Sequence, residues 1–320
     1  MTRYLVRRLG QSVVVVFGVM VLTFLLLHME PGSVARAILG NGVHVSQLRL
    51  AMFDSLYGLN KPLYAQFWLY IVQLFHGNMG VSYQSLQPVS TLIAQRLPRD
   101  AVLVGLSTLL ALIIGIPTGV YQALHHNELA DDVLAGTWFT LYAAPDFMEA
   151  LLLIALLCVQ FHVFPPAFPG GVTSVGGLFT NWRALFLPVV VLSINSVAGF
   201  SQYARSTAIQ TLAEDYIRAA RAKGLSERLV VTRHVLRNSL LPVVTILGLS
   251  LPDIVAGALI AEAIFNFPGM GLLFWQSALA HDFPVMLGGT LIIGVATVLG
   301  NFAADIAYSV LDPRIRYGNS

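Results

Sequence analysis

The chain has 320 residues, 56% of them hydrophobic and only 11% charged, with a formal net charge of +2. An ordinary soluble domain carries about 25% charged residues. The composition therefore argues against a soluble enzyme and a disordered tail, and the absence of any basic run argues against a nucleic-acid partner. Cys158 is the single cysteine, so no intrachain disulfide can form, and its apolar neighbours make it read as a small buried hydrophobe.

A membrane-spanning helix needs about 20 mostly apolar residues. Residues 9–27 supply the first such run, after Arg3, Arg7 and Arg8. His28-Met29-Glu30-Pro31 follows where a signal peptide would show a small-x-small cleavage site, so the run reads as a retained helix. The other spans are expected at 101–124, at 133–161 with Asp146 and Glu149 inside it, and at 185–203, 240–265 and 284–310. Arg205, Arg218, Arg221, Lys223, Arg228, Arg233 and Arg237 cluster between spans four and five, with Arg314 and Arg316 at the end. On the opposite side, five of six basic residues (Arg36, Arg49, Lys61, Arg96 and Arg99, but not Arg183) lie in one long loop, which weighs little in the positive-inside rule. The bias places both termini in the cytoplasm.

Two loops exceed the length of a connector. The external one, 28–100, predicts a helix over 45–57 with Leu48, Met52 and Leu56 on one face, stopped by Gly58. A second follows over 63–75 with Phe67, Ile71 and Leu74, opened by Pro62, and then a Gly77-Asn78-Met79-Gly80 turn. This is a small amphipathic cap or a pair of helices resting at the lipid interface. The cytoplasmic loop, 206–239, predicts a helix over 215–223 rich in alanine, closed by Gly224, and a second over 225–238. Its small side chains suit close approach by another surface. Composition alone favours a basic helix held by anionic lipid.

Tyr216-Ile217-Arg218-Ala219-Ala220-Arg221-Ala222-Lys223-Gly224-Leu225, followed by His234-Val235-Leu236-Arg237-Asn238-Ser239-Leu240-Leu241-Pro242, resembles the EAA loop of ABC importer permeases, in its dipeptide and oligopeptide form. Arg218 stands where the naming glutamate would be. Tyr57-Gly58-Leu59-Asn60-Lys61-Pro62, Gly77-Asn78-Met79-Gly80-Val81-Ser82-Tyr83, Glu262 to Gly271, Asp282-Phe283-Pro284 and Asp305 with Leu311-Asp312-Pro313-Arg314-Ile315-Arg316 are similar to other segments of the same branch.

The resemblance implies an all-α polytopic membrane protein of about six transmembrane helices, with the type I ABC importer permease fold and a structured external loop. It divides the chain into 1–28, 29–100 and a core of 101–320. It also implies an inner-membrane location, a second homologous permease, two cytoplasmic ATPase domains carrying ATP and Mg, and an external binding protein. Tyr216, Arg218, Ala219, Ala220, Arg221, Lys223, Gly224 and Leu225 are then the coupling surface, with Ala219, Ala220 and Gly224 as its close-contact face. Neither Lys61 nor Lys223 follows a glycine, so the chain has no P-loop and energy must come from the partner.

Acids inside spans cost about 2.5–3.5 kcal/mol at the bilayer centre and so face protein or water. Asp146 follows Pro145, Glu149 lies one helical turn on, and Asp253 follows Pro252. These three either line a wet translocation path for a peptide or pair with arginine and cap broken helix ends. Asp305 is expected beside the 312–314 turn. Gly115 and Gly119 have helix-packing spacing, within the chain or against the second permease. His125-His126 ends a helix and lacks further metal ligands, and no zinc-protease or hydrolase motif is present, so no catalytic residue, cofactor or metal is assigned. Nickel-chelate import within the same family, and an ATP-independent secondary transporter outside it, are the competing readings.

Overall fold

Backbone in hydrocarbon must satisfy its own hydrogen bonds, and every named element of the protein is helical, with one isolated bridge between Val81 and Pro88. The computed structural model describes residues 2–29, 52, 55, 58, 60–172, 174–237, 239, 240, 243, 247 and 258–311. Helix α1 is Thr2–Met29, α2 is Leu63–Phe75, α3 is Val89–Leu124 and α4 is Leu129–Ala143. Helix α5, Asp146–Leu153, continues as the π-helical turns of Ile154–Gln160. Then come α6 (Val175–Thr180), α7 (Trp182–Leu212), α8 (Asp215–Ala222) and α9 (Glu227–Val230), the last running into π-helical Val231–Val235. The series closes with α10 (Leu259–Phe265), α11 (Met270–Leu279) and α12 (Phe283–Leu311).

Among the described residues, four helices can cross a membrane: Gly10–Met29 within α1, then α3, α7, and Phe283–Ala303 within α12. The pair α4 and Asp146–Gln160, bent by 101°, is long and apolar enough to count as a fifth span if it crosses as one. Most of the expected span at 240–265, and most of the expected helix at 45–57, lie outside the described residues.

Three elements depart from expectation. Helix α3 begins at Val89 rather than at 101, because Arg96, Arg99 and Asp100 interrupt the apolar window without interrupting the helix. At 1.5 Å per residue its 36 residues measure about 54 Å, against about 30 Å of hydrocarbon, so its ends extend past the core. The third span, expected as one run over 133–161, is two helices. Pro145 lacks a donor and pushes Ala144 into extended backbone, φ −76° and ψ 135°, so α4 stops and α5 starts in a new direction. The helix expected over 225–238 is only one turn of α-helix before it widens to π.

Helix α2 matches its expected bounds. Its Phe67 ring meets Phe17 and Phe24 of α1 edge-on, at centroid distances of 5.8 and 5.2 Å, while Tyr64, Trp68 and Phe75 remain exposed. One apolar face is thus used against α1 and the other is open. The Gly77–Gly80 turn is tied across 200 positions of sequence: Asp282 accepts from the Ser82 hydroxyl and from the Tyr83 N–H at 3.0 Å.

Helices α3 and α7 form the most extensive pair. A Cβ on Gly119 would lie 2.2 Å from the Ser201 carbonyl oxygen, and one on Gly115 would lie 2.8 Å from that of Val197. The glycine spacing is therefore filled within the chain, by α7. It is not the contact with a second permease that the spacing also allowed.

Candidate functional site

The acids of the broken span occupy the first turn of α5, where carboxylates suit the positive helix end. The structure separates their environments. Asp146 is half-buried and accepts from the Asn195 amide of α7. Glu149, one turn on, is buried, and neither of its carboxylate oxygens has a hydrogen-bond partner. No arginine pairs with either acid among the described residues, and Pro145 rather than an acid occupies the N-cap. Asp253 lies outside the described residues; Asp305 is on α12, and 312–316 are outside.

The loop that follows α7 is a short amphipathic hairpin. Ile217 is fully buried, whereas Tyr216, Arg218, Ala219, Arg221, Lys223 and Gly224 are exposed and Ala220 and Leu225 half-buried. Ile217 is the only inward anchor of α8. The expected coupling residues thus lie together on an open surface. Gly224 closes the helix, as expected. A Cβ there would meet nothing within 4 Å, but φ is +82°, so the backbone reversal, not a close neighbour within the chain, calls for glycine. Arg218 pairs with Asp215, and Arg221 with Glu227 at 2.6 Å, across exposed surface. The Glu227 carboxylate beside Arg221 holds its guanidinium above the ordinary value. Behind the hairpin, Val235 buries among Ala204 and Ala208 of α7 and Val120 and Ala123 of α3.

Two polar clusters stand outside the sites expected from sequence. Toward the N-terminal end of α3, Asp100 accepts from the Met270 N–H at 2.6 Å. Glu262 accepts from the N–H groups of Ala258 at 2.6 Å and Leu272 at 2.8 Å. Arg96 and Arg99 donate to the carbonyls of Gly269 and Pro268, each at 3.2 Å. Beside the C-terminal end of α3, Arg205 of α7 grips Asp131 of α4 with two bonds, Nε to Oδ1 at 2.7 Å and Nη2 to Oδ2 at 2.6 Å. Sequence reading had placed Arg96, Arg99 and Arg205 in a charge tally and left Asp131 aside. The signal available was their position at the ends of spans, where a charge must find a partner.

Residues 115–317 match the family described as binding-protein-dependent transport system inner membrane component, and residues 1–104 match that family's N-terminal part. The chain belongs to this family: it is an all-α, multi-pass permease subunit, a non-catalytic component of an ABC importer. The oligopeptide transport system permease protein AppB of Bacillus subtilis (strain 168) is 39% identical over 321 residues, covering 99% of this chain and 100% of its own. The dipeptide transport system permease protein DppB of Escherichia coli (strain K12) is 32% identical over 340 residues, covering 99% of each. The glutathione transport system permease protein GsiC of Escherichia coli O6:H1 is 34% identical over 317 residues, covering 99% and 100%. The crystal structure of an amino acid ABC transporter overlaps 71% of this chain and 95% of its own, at 17% identity and a TM-score of 0.45.

Proposed function

We propose that the protein forms half of the pathway by which an ATP-driven importer takes small peptides across the plasma membrane. The end-to-end similarity to relatives named as oligopeptide, dipeptide and glutathione permeases carries this reading. Its partners are a second homologous permease, two cytoplasmic ATPase domains that hold ATP and Mg, and an external binding protein that selects the peptide. Both termini face the cytoplasm, as the basic clusters favour. Residues 29–100 form an external cap on a core of 101–320. The open face of Tyr216 to Leu225 is the surface that docks on an ATPase, with Arg218 in the place of an acid.

Asp146 and Glu149, with Asp253, face the path and meet the peptide's amino group or its backbone N–H groups. A buried carboxylate without a donor is costly, and a cationic or N–H-bearing solute supplies what is missing. Asp146→Asn with Glu149→Gln is expected to lower uptake of a labelled tripeptide by roughly tenfold or more at equal membrane abundance, the scale of one lost charged hydrogen bond. Unchanged uptake removes the acids from the path. Purification of the tagged chain in mild detergent with native mass spectrometry tests the assembly. One second permease and two ATPase domains are expected; the chain alone, transporting without ATP, overturns the reading.

A further inference from the structure

We infer that Arg205 and Asp131 form a joint that makes the inner half of the broken span follow the cytoplasmic loop. The inference rests on the reading of α8 as the coupling element. Helix α8 hangs from the end of α7 by two residues, Ala213 and Glu214, whose N–H groups still bond back to Gln210 and Thr211. Motion of α8 therefore passes into α7. Helix α3 moves with α7, because the glycine seam leaves no room for sliding.

Helix α4 has no such seam. Much of it is open, with Leu129, Val133, Phe139 and Tyr142 exposed. Its firm polar tie to α7 is Asp131, whose side chain is 2% exposed and which takes both prongs of Arg205. Asp131 also accepts from the Asn127 N–H at 3.3 Å, and His126 Nδ1 lies 3.1 Å from it. Its backbone carbonyl receives Gln122 of α3 at 3.4 Å, and Gln122 is in turn bonded by Ser201 of α7 at 2.8 Å. Three helices thus converge on one residue beside the loop, α7 on its carboxylate and α3 on its backbone carbonyl. A two-pronged guanidinium–carboxylate pair fixes orientation as well as distance, which is what a joint requires. Arg205 and Asp131 are positioning residues; neither needs to touch the solute.

The test uses the whole complex in proteoliposomes, with Cys158→Ala and spin labels at exposed positions. Labels at Leu129 of α4 and Leu229 of α9 are expected to keep one distance with and without ATP. In Asp131→Asn that distance is expected to change with nucleotide, and uptake per ATP hydrolysed to fall roughly fivefold or more. The exchange Asp131→Arg with Arg205→Asp is expected to restore both. A distance that changes with nucleotide in the unmodified pair overturns the joint. So does an unchanged distance and yield in Asp131→Asn. Should that variant fail to reach the membrane, Arg205→Lys keeps the charge without the fork, and unchanged behaviour in it also overturns the joint. A third label at Trp275 of α11 separates the two readings. If Leu229 does not move relative to Trp275 on ATP binding, the coupling reading has failed. If Leu229 moves and Leu129 stays behind, only the joint has failed.

Discussion

The two ends of α3 are fastened by opposite means. Toward its N-terminus, carboxylates and guanidinium groups bond to backbone: Asp100 and Glu262 hold N–H groups of 258–272, and Arg96 and Arg99 hold carbonyls. Beside its C-terminus, side chain meets side chain in Arg205 and Asp131. Backbone donors are fixed by the helices that carry them, so the N-terminal end has one arrangement. The Arg205–Asp131 pair stays closed and ties α4 to α7, so the C-terminal end can travel with the loop as a unit. The glycine seam lies between them and makes α3 with α7 a rigid strut. A transporter that is closed on one side and mobile on the other needs such an asymmetry.

Four substitutions break or sharpen this contrast. Glu262→Ala should be the most damaging, because it strands the Ala258 and Leu272 N–H groups in a fully buried site, at about 1–3 kcal/mol each. The expected result is failure to accumulate, or the largest fall in melting temperature in detergent; a wild-type melt would show that the carboxylate does not hold this end of α3. Gly119→Ala comes next. Its methyl would meet the Ser201 carbonyl, and such overpacking costs about 1–3 kcal/mol, read as a lower melting temperature together with loosened α3–α7 cross-linking. Gly224→Ala should act only on the loop. An L-residue at φ +82° costs about 1–2 kcal/mol locally, so proteolysis within 213–231 should quicken while the global melt stays put. Arg218→Ala should leave the melt unchanged, since Arg218 and Asp215 are 72% and 91% exposed in their side chains.

Much of this was legible in residue order. Long apolar runs predicted α1, α7 and α12, and Pro62 with the spacing of Phe67, Ile71 and Leu74 predicted α2 to the residue. The helix stop at Gly224 was likewise visible, and Pro145 marked the place where the third span is interrupted, because proline and glycine act on the backbone locally. The 101° angle at that break was not, since a bend depends on what receives the second helix, here Asn195 of α7 for Asp146. The start of α3 at Val89 was hidden for a related reason. Charge reads as the end of a span until the partners are known, and those of Asp100 lie 170 positions away. The same holds for Asp131 and Arg205, 74 positions apart. Local chemistry was readable; pairing of charges across the fold was not.

The α3–α7 seam also bears on how the protein is made. Thr118 bonds to Ser201 across 83 positions of chain. At a synthesis rate of about 5–20 residues per second, α3 waits roughly 4–17 s in the membrane before α7 emerges. During that interval its glycine-lined groove is bare, and any other small-faced helix nearby can occupy it. Correct assembly is therefore a race against neighbours, and slowing the ribosome between positions 124 and 182 should raise the share of misassembled chains.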